Sequence, residues 1–262
     1  MPRAQNDYQA AADQGRLWTP QVSYPASVLR ANYDISDRST ISASGGVIDQ
    51  VRDKSGNGLH VSATATARPA LTDNEAIFDG VNDQLVTASN LGIFGAAART
   101  VFYVARRIST DPSNGQPVFF WGAESTRLAF GSSSWDVPGG FISVWAWASD
   151  VNIHPGTANS YIGTAFFTGT VQGGFVNGGT ATTLTSALNT TNSVLYLGRR
   201  LGRFAGVALS EIHILNQYLP AWEMDRFAGY LAWKWRYLLP RDLVGDLPGR
   251  NPFKNRPPLI GG

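Results

Sequence analysis

Glu211 and His213 are the pair in this chain whose types and spacing most resemble acid–base machinery. They stand two apart in Ser210-Glu211-Ile212-His213-Ile214-Leu215, so on a strand their side chains share one face. Glycoside hydrolysis, however, needs two carboxyl groups flanking the scissile bond, one to protonate the leaving oxygen and one to attack or to activate water. Glu211 is the only carboxylate of that late strand, and its ordinary reading is a structural residue at a sheet edge. His213 reads in the same way as a satisfied structural imidazole, and the other histidines, His60 and His154, are far from it in sequence. A serine hydrolase would need a G-x-S-x-G elbow, which Gly131-Ser132-Ser133-Ser134-Trp135 does not supply. The residues therefore lead to the expectation of a chain that is not an enzyme, with no catalytic residue.

Recognition chemistry is better represented. Sugars stack their apolar faces on aromatic rings while amides, carboxylates and backbone groups take the hydroxyls. In residues 141–148 (FISVWAWA), strand alternation places Trp145 and Trp147 on one face and Val144 and Ala146 on the other. With Trp121 and Trp135 nearby in sequence, these form the candidate glycan platform. The competing reading is ordinary core, because eight tryptophans must be placed somewhere. Trp222, Trp233 and Trp235 read as helix-to-sheet packing. For metal, calcium wants six to eight hard oxygens on turns, and Asp53 with Asn57, then Asp79, Asn82 and Asp83, could supply some of them. The same residues also hydrogen-bond their own backbone in tight turns. A structural calcium is thus the one cofactor the sequence leaves open.

The elements that must position these groups are short strands. Apolar runs at 28–34, 47–53, 76–78, 84–87, 100–108 and 117–122 are bounded by Gly, Asn, Asp and Ser. Further strands are expected at 141–148, 161–168, 194–197 and 206–215. Between 173–177 and 180–184, Asn177-Gly178-Gly179 predicts a hairpin at an exposed edge, since Asn-Gly readily takes positive φ. One helix is expected at 221–237, where Met224, Phe227, Ala228, Leu231 and Trp235 recur at three- and four-residue spacing. Residues 1–16 read as an N-terminal arm and 241–262 as an extended Pro- and Gly-rich tail, leaving 17–240 as a single sandwich.

Charge narrows the partners. With 21 Lys and Arg against 19 Asp and Glu the net charge is only +2, and no basic run is interleaved with aromatics, so nucleic acid is not an expected partner. The chain has no cysteine, so packing must supply stability without disulfides. No apolar stretch of about 18 residues suggests membrane insertion. The opening residues lack a secretory pattern, so export would follow another route, such as release inside a particle.

Several stretches, in order, resemble the LamG-like, concanavalin A-like lectin/glucanase domains common in bacteriophage structural proteins. They are Leu17-Trp18-Thr19-Pro20; Tyr33-Asp34-Ile35-Ser36-Asp37 with Ser39-Thr40; Asp53-Lys54-Ser55-Gly56-Asn57-Gly58; and Phe78-Asp79-Gly80-Val81-Asn82-Asp83. Val176-Asn177-Gly178, Leu197-Gly198-Arg199, the Ser210–Asn216 stretch and Gly229-Tyr230-Leu231-Ala232-Trp233-Lys234-Trp235 follow, with Asn251-Pro252-Phe253-Lys254 and Pro257-Pro258 at the end. A departure is Leu219-Pro220-Ala221-Trp222, where related domains carry a Ser-Asp type cap; Pro still suits a helix start. The resemblance implies an all-β, two-sheet antiparallel jelly-roll sandwich with one C-terminal helix and extended terminal arms. It also implies a non-enzymatic virion protein, in head decoration or in a tail or fibre. Such a protein would assemble with other virion proteins and present a lectin-like surface to host-cell glycans; self-assembly as a closed homo-oligomer such as a trimer is expected on symmetry grounds alone. The alternatives are a free carbohydrate-binding protein and a glycan hydrolase.

Overall fold

The computed structural model describes residues 18–108, 115–136, 140–155, 160–200 and 202–236, without the side chains of residues 135, 136 and 155. The expected arm at 1–16 and tail at 241–262 lie outside the described residues.

The strand Arg99–Arg107 shows how sequence becomes layer. Its Val101, Tyr103 and Ala105 point into the main core, while Phe102 and Val104 point to the opposite side and meet the C-terminal helix. Both faces are buried, so the run reads as continuously apolar rather than alternating. It pairs on one side with Ser160–Phe167 and on the other with Gly206–Leu215. Gly206–Leu215 in turn pairs with Ala76–Asp79 through its first half and with Leu29–Asp34 through its second, on either side of an irregularity at Ser210. Beyond Ser160–Phe167 come Val171–Val176 and then Thr182–Thr185, whose four residues are all exposed. The turn between these last two has Asn177 and Gly178 at φ of 54° and 70°, which is the expected hairpin at an exposed edge.

A second run follows in the spatial order Ile41–Ser44, Val47–Val51, Val61–Ser62, Leu85–Thr87, Tyr196–Leu197, Pro117–Gly122, Ala129–Asp136, Phe141–Trp145 and Val151–Pro155. Ala70–Leu71 and Ala76–Asp79 join it to the first. The expectation of two separate sheets is corrected here. Hydrogen bonds pass through seventeen strands without a break, making one large antiparallel sheet that is nearly closed and folds its two runs over a common core. The physical reason is the short Ala70–Leu71 bridge, which bonds to both runs.

The helix Ala221–Lys234 lies on the outer face of the first run. Phe227 stacks on Phe102 with ring centroids 4.0 Å apart, and Met224, Leu231 and Trp235 are buried beside it. A fourteen-residue helix is marginal alone, so this apolar face is what holds it. Pro220 supplies the fixed φ of the N-cap, without a side-chain cap bond. Trp222 departs from the expected packing and stands 62% exposed at the helix start. Among the described residues no helix is long and apolar enough to cross a membrane.

Candidate functional site

Glu211 lies on a strand flanked on both sides, not at a sheet edge, and is completely buried together with His213. His213 Nε2 is 2.8 Å from Glu211 Oε1, as a shared strand face requires. The other carboxylate oxygen, Oε2, accepts the Trp235 indole N–H at 2.5 Å and lies 2.8 Å from Lys234 Nζ. Lys234 also reaches Asp34 at 2.7 Å, and Lys54 binds Asp34 and Asp37 at 3.3 and 2.6 Å. Burial pushes the Asp34 carboxyl up, but Lys234 and Lys54 outweigh it and hold the group well below the usual carboxylate range. Burial likewise opposes the charge of Glu211, and Lys234 leads the groups that keep it below its ordinary value. This assembly ties the helix to the strands Leu29–Asp34 and Gly206–Leu215. Both oxygens of Glu211 are engaged by neighbouring side chains and sealed from solvent, so it is built as a clamp.

The predicted tryptophans separate. Trp121 is fully buried on the core face, its indole donating to Ile93 O at 3.1 Å, so it belongs to the interior and not to a surface platform. Trp135 lies at the end of Ala129–Asp136, and its side chain is outside the described residues. Trp145 and Trp147 do come together, though not by strand alternation. The strand ends at Trp145, and Trp147 and Ala148 adopt φ of 56° and 62°. This left-handed backbone is costly for a residue with a Cβ, on the order of 1 kcal/mol or more. Asp150 holds it in place, its Oδ1 accepting from Ala146 N and Trp147 N at 3.0 and 3.1 Å, while Arg127 N donates to the Ala146 and Trp147 carbonyls.

Between the two rings lies Arg200. Its Cζ is 4.0 Å from the Trp145 ring centroid and 5.1 Å from that of Trp147, which makes a Trp–Arg–Trp stack. Trp145 is buried beneath the guanidinium, whereas Trp147 is half-buried. Glu124 Oε1 is 3.7 Å from Arg200 Nε, and burial raises the Glu124 carboxyl against the pull of Arg200 and Arg203. Gly131, paired with Trp145 across the strands, must be glycine: a Cβ there would lie 2.7 Å from Phe119 O and 3.2 Å from the Phe120 ring. Among the described residues, six non-glycines have positive φ, and four of them, Gln116, Arg127, Trp147 and Ala148, sit in the loops around this stack. Such strain persists only where the surrounding contacts over-determine the backbone.

The turn residues are occupied by their own chain. Asp53 Oδ1 accepts from Asn32 N and Ser55 N, and Oδ2 from Ser55 Oγ and Leu59 N. Asn57 Nδ2 donates to the carbonyls of Ala26, Leu29 and Arg30. Asp79 Oδ1 accepts from Val81 N and Asn82 N, and Asp83 Oδ2 from Asp79 N. Burial, with Asp79 nearby, pushes the Asp83 carboxyl up to about 6. Among the described residues no three His, Cys, Asp or Glu side chains are grouped to hold a metal ion.

Sequence reasoning missed Arg200, Arg203, Glu124 and Arg127. The signal for Arg200 and Arg203 was the Arg199-Arg200-Leu201-Gly202-Arg203 cluster, dense in cations within a chain only 15% charged; Glu124 and Arg127 carried none.

No family model matches the chain. No characterised protein matches it in sequence either. Solved structures are similar to it in fold. Domain 4 of AbnA, a GH43 extracellular arabinanase from Geobacillus stearothermophilus, in complex with arabinotriose, superposes with a TM-score of 0.53 at 13% identity, over 77% of this chain and 98% of that one. The Trypanosoma rangeli sialidase gives 0.55 at 14% identity, over 80% of this chain and 33% of the enzyme. An arabinofuranosidase complexed with arabinofuranosyl-alpha-1,2-xylobiose gives 0.52 at 12%, over 72% of this chain. The chain spans 51% to 60% of the length of the arabinofuranosidases it resembles. These likenesses establish the fold. They also overturn the expectation that the chain is not an enzyme, because this fold is carried by glycoside hydrolases and gives no ground for setting catalysis aside.

Proposed function

We propose that this domain binds glycans at the loop end where Trp145, Arg200 and Trp147 stack. One observation carries the reading: a half-buried tryptophan is held at a left-handed backbone position and fixed from beneath by a guanidinium and a second indole. A ring presented this way can take the apolar face of a sugar at little further ordering cost, which is how preorganised aromatic sites gain affinity. The arabinanase domain described with arabinotriose, and the botulinum neurotoxin type C structure described through its interaction with two ganglioside molecules, support carbohydrate as the ligand class.

Affinity electrophoresis through arabinan, xylan and acidic polysaccharides tests this. Wild type is retarded by at least one polymer, and Trp147→Ala, still folded by circular dichroism, runs unretarded. Retardation of Trp147→Ala equal to wild type, or of neither protein in any gel, overturns the reading.

Hydrolysis at the same place is the second reading, favoured by Glu124, whose half-buried carboxyl is raised by burial as a general acid requires. Release of reducing ends that disappears in Glu124→Gln would establish it; release unchanged in that variant, or none from any polymer the domain binds, would remove it. The placement of this domain on a virion, in the head or the tail, is supported by the resemblance of its turn and helix motifs, and its copy number in purified particles tests that placement.

A further inference from the structure

We infer that the sugar held at this loop end carries a carboxylate. The inference rests on the glycan reading above and names the class of ligand within it.

The hairpin formed by Arg199–Arg200 and Arg203–Phe204 carries three guanidiniums, and two of them, Arg200 and Arg203, reach the stack. Arg199 is committed locally: it lies over Tyr196 and Phe204 and donates to Gln84 Oε1 at 2.8 Å. Arg200 is committed to the two tryptophans. Arg203 is exposed beside them. A Cβ built on Gly115 would be 3.7 Å from Arg203 Nη1 and 3.5 Å from the Trp145 ring, so the guanidinium lies against the same corner as the stack. Across from it Arg127, also exposed, has its backbone N–H on the Trp147 carbonyl and its Nε donating to Ser149 Oγ at 3.1 Å.

Among the described residues, two carboxylates lie by Arg200, Arg203 and Arg127. Asp150 has an oxygen turned to the Ala146 and Trp147 amides, where it holds the loop, and Glu124 sits by Arg200 and also feels Arg203. Among the described residues the site is therefore net positive, three guanidiniums against two carboxylates, in a chain whose overall charge is only +2. A neutral sugar would need hydroxyl acceptors and donors of both kinds. An excess of planar guanidiniums beside an aromatic face fits a ring that bears a carboxylate, because the guanidinium fork matches the two carboxylate oxygens and a bidentate pair fixes orientation as well as charge. Arg203 is the group placed to make that pair, with Trp147 beneath the sugar ring.

The full chain would be run in affinity gels at 0.15 M salt, where the Debye length is about 8 Å and diffuse attraction is damped. The gels contain polygalacturonate or polysialic acid, each beside its carboxyl-reduced form, with neutral arabinan and dextran sulfate as further arms. The inference predicts retardation at least about tenfold stronger by one carboxylated polymer than by its reduced form, the size of one lost charge-assisted pair. Arg203→Gln removes that difference, Arg203→Lys restores part of it, and both leave weak retardation by the reduced polymer. Equal retardation by carboxylated and reduced forms, still dependent on Trp147, overturns the inference and leaves the glycan reading standing. Dextran sulfate binding as strongly as the best carboxylated polymer overturns it in favour of charge alone. Retardation by no polymer overturns the glycan reading with it.

Discussion

Two places in this molecule are built from the same three ingredients, a tryptophan, a cation and a carboxylate, and they are finished differently. At the helix, Trp235, Lys234 and Glu211 meet at 2.5 to 2.8 Å, with Glu211 and Trp235 fully buried and Lys234 largely so. At the loop end, Trp145, Trp147, Arg200 and Glu124 meet loosely, with the ion pair at 3.7 Å and one indole partly exposed. The first cluster spends both carboxylate oxygens on its own neighbours and leaves nothing for a ligand. The second keeps a partly exposed aromatic ring, with the exposed Arg203 guanidinium beside it, at a loop whose left-handed residues cost stability. Residue type alone does not separate a clamp from a site; satisfaction of polar groups and backbone strain do.

The largest effect that would sharpen this contrast is expected at Glu211. Glu211→Ala strips the partner from Lys234, His213 and the Trp235 indole in a sealed position, and breaking a buried charged network typically costs about 3–5 kcal/mol. Urea denaturation should show that loss, with the midpoint falling and the slope unchanged. Trp147→Ala should cost less in the same assay, about 1–3 kcal/mol, because that side chain is only partly buried and takes no part in a sealed charge network. Equal losses in the two variants would contradict the division of roles.

Acid should find the clamp next. The folded-state carboxyls of Asp34 and Glu211 are held below their ordinary values, so the folded state resists taking up protons that the unfolded chain accepts. Their contribution is present above about pH 4, near the unfolded carboxylate values, and is lost as pH falls below that. Asp83 works in the opposite sense and more weakly: with its carboxyl raised to about 6, stability from that group declines as pH rises from about 4 to 6. Asp83→Asn should flatten the profile in that window, and Asp34→Asn should flatten it below pH 4. Denaturation midpoints measured from pH 3 to 7 check both; an unchanged acid limb in Asp34→Asn would contradict the clamp.

Much of this was legible in the sequence, and the limits have physical causes. The Glu211–His213 pairing followed from period two, the Asn177-Gly178 turn from its tolerance of positive φ, and the helix from its three- and four-residue spacing. The strand Ala129–Asp136 gave no such signal. Its Gly131-Ser132-Ser133 core carries no apolar alternation, and Ser132 and Ser133 are buried only because their hydroxyls find Ser143 O, Tyr103 OH and Gly115 O. Trp147 was assigned to a strand face because alternation cannot reveal that the chain turns left-handed after Trp145. Arg200 lies far along the chain from Trp145, and only the register that sets Tyr196 beside Phe120 and Trp145 beside Gly131 brings the two together. Long-range register of that kind carries no local signature.

The most direct test of the contrast is a two-dimensional nitrogen–proton spectrum of the tryptophan indoles, recorded while an oligosaccharide cut from the best-retained polymer is titrated in. The account predicts shifts at Trp147, with a smaller one at Trp145, while the Trp235 indole, bonded to Glu211 beneath the helix, stays fixed. Shifts at Trp235 or at the exposed Trp222 with Trp147 unmoved would place recognition at the helix and contradict the account.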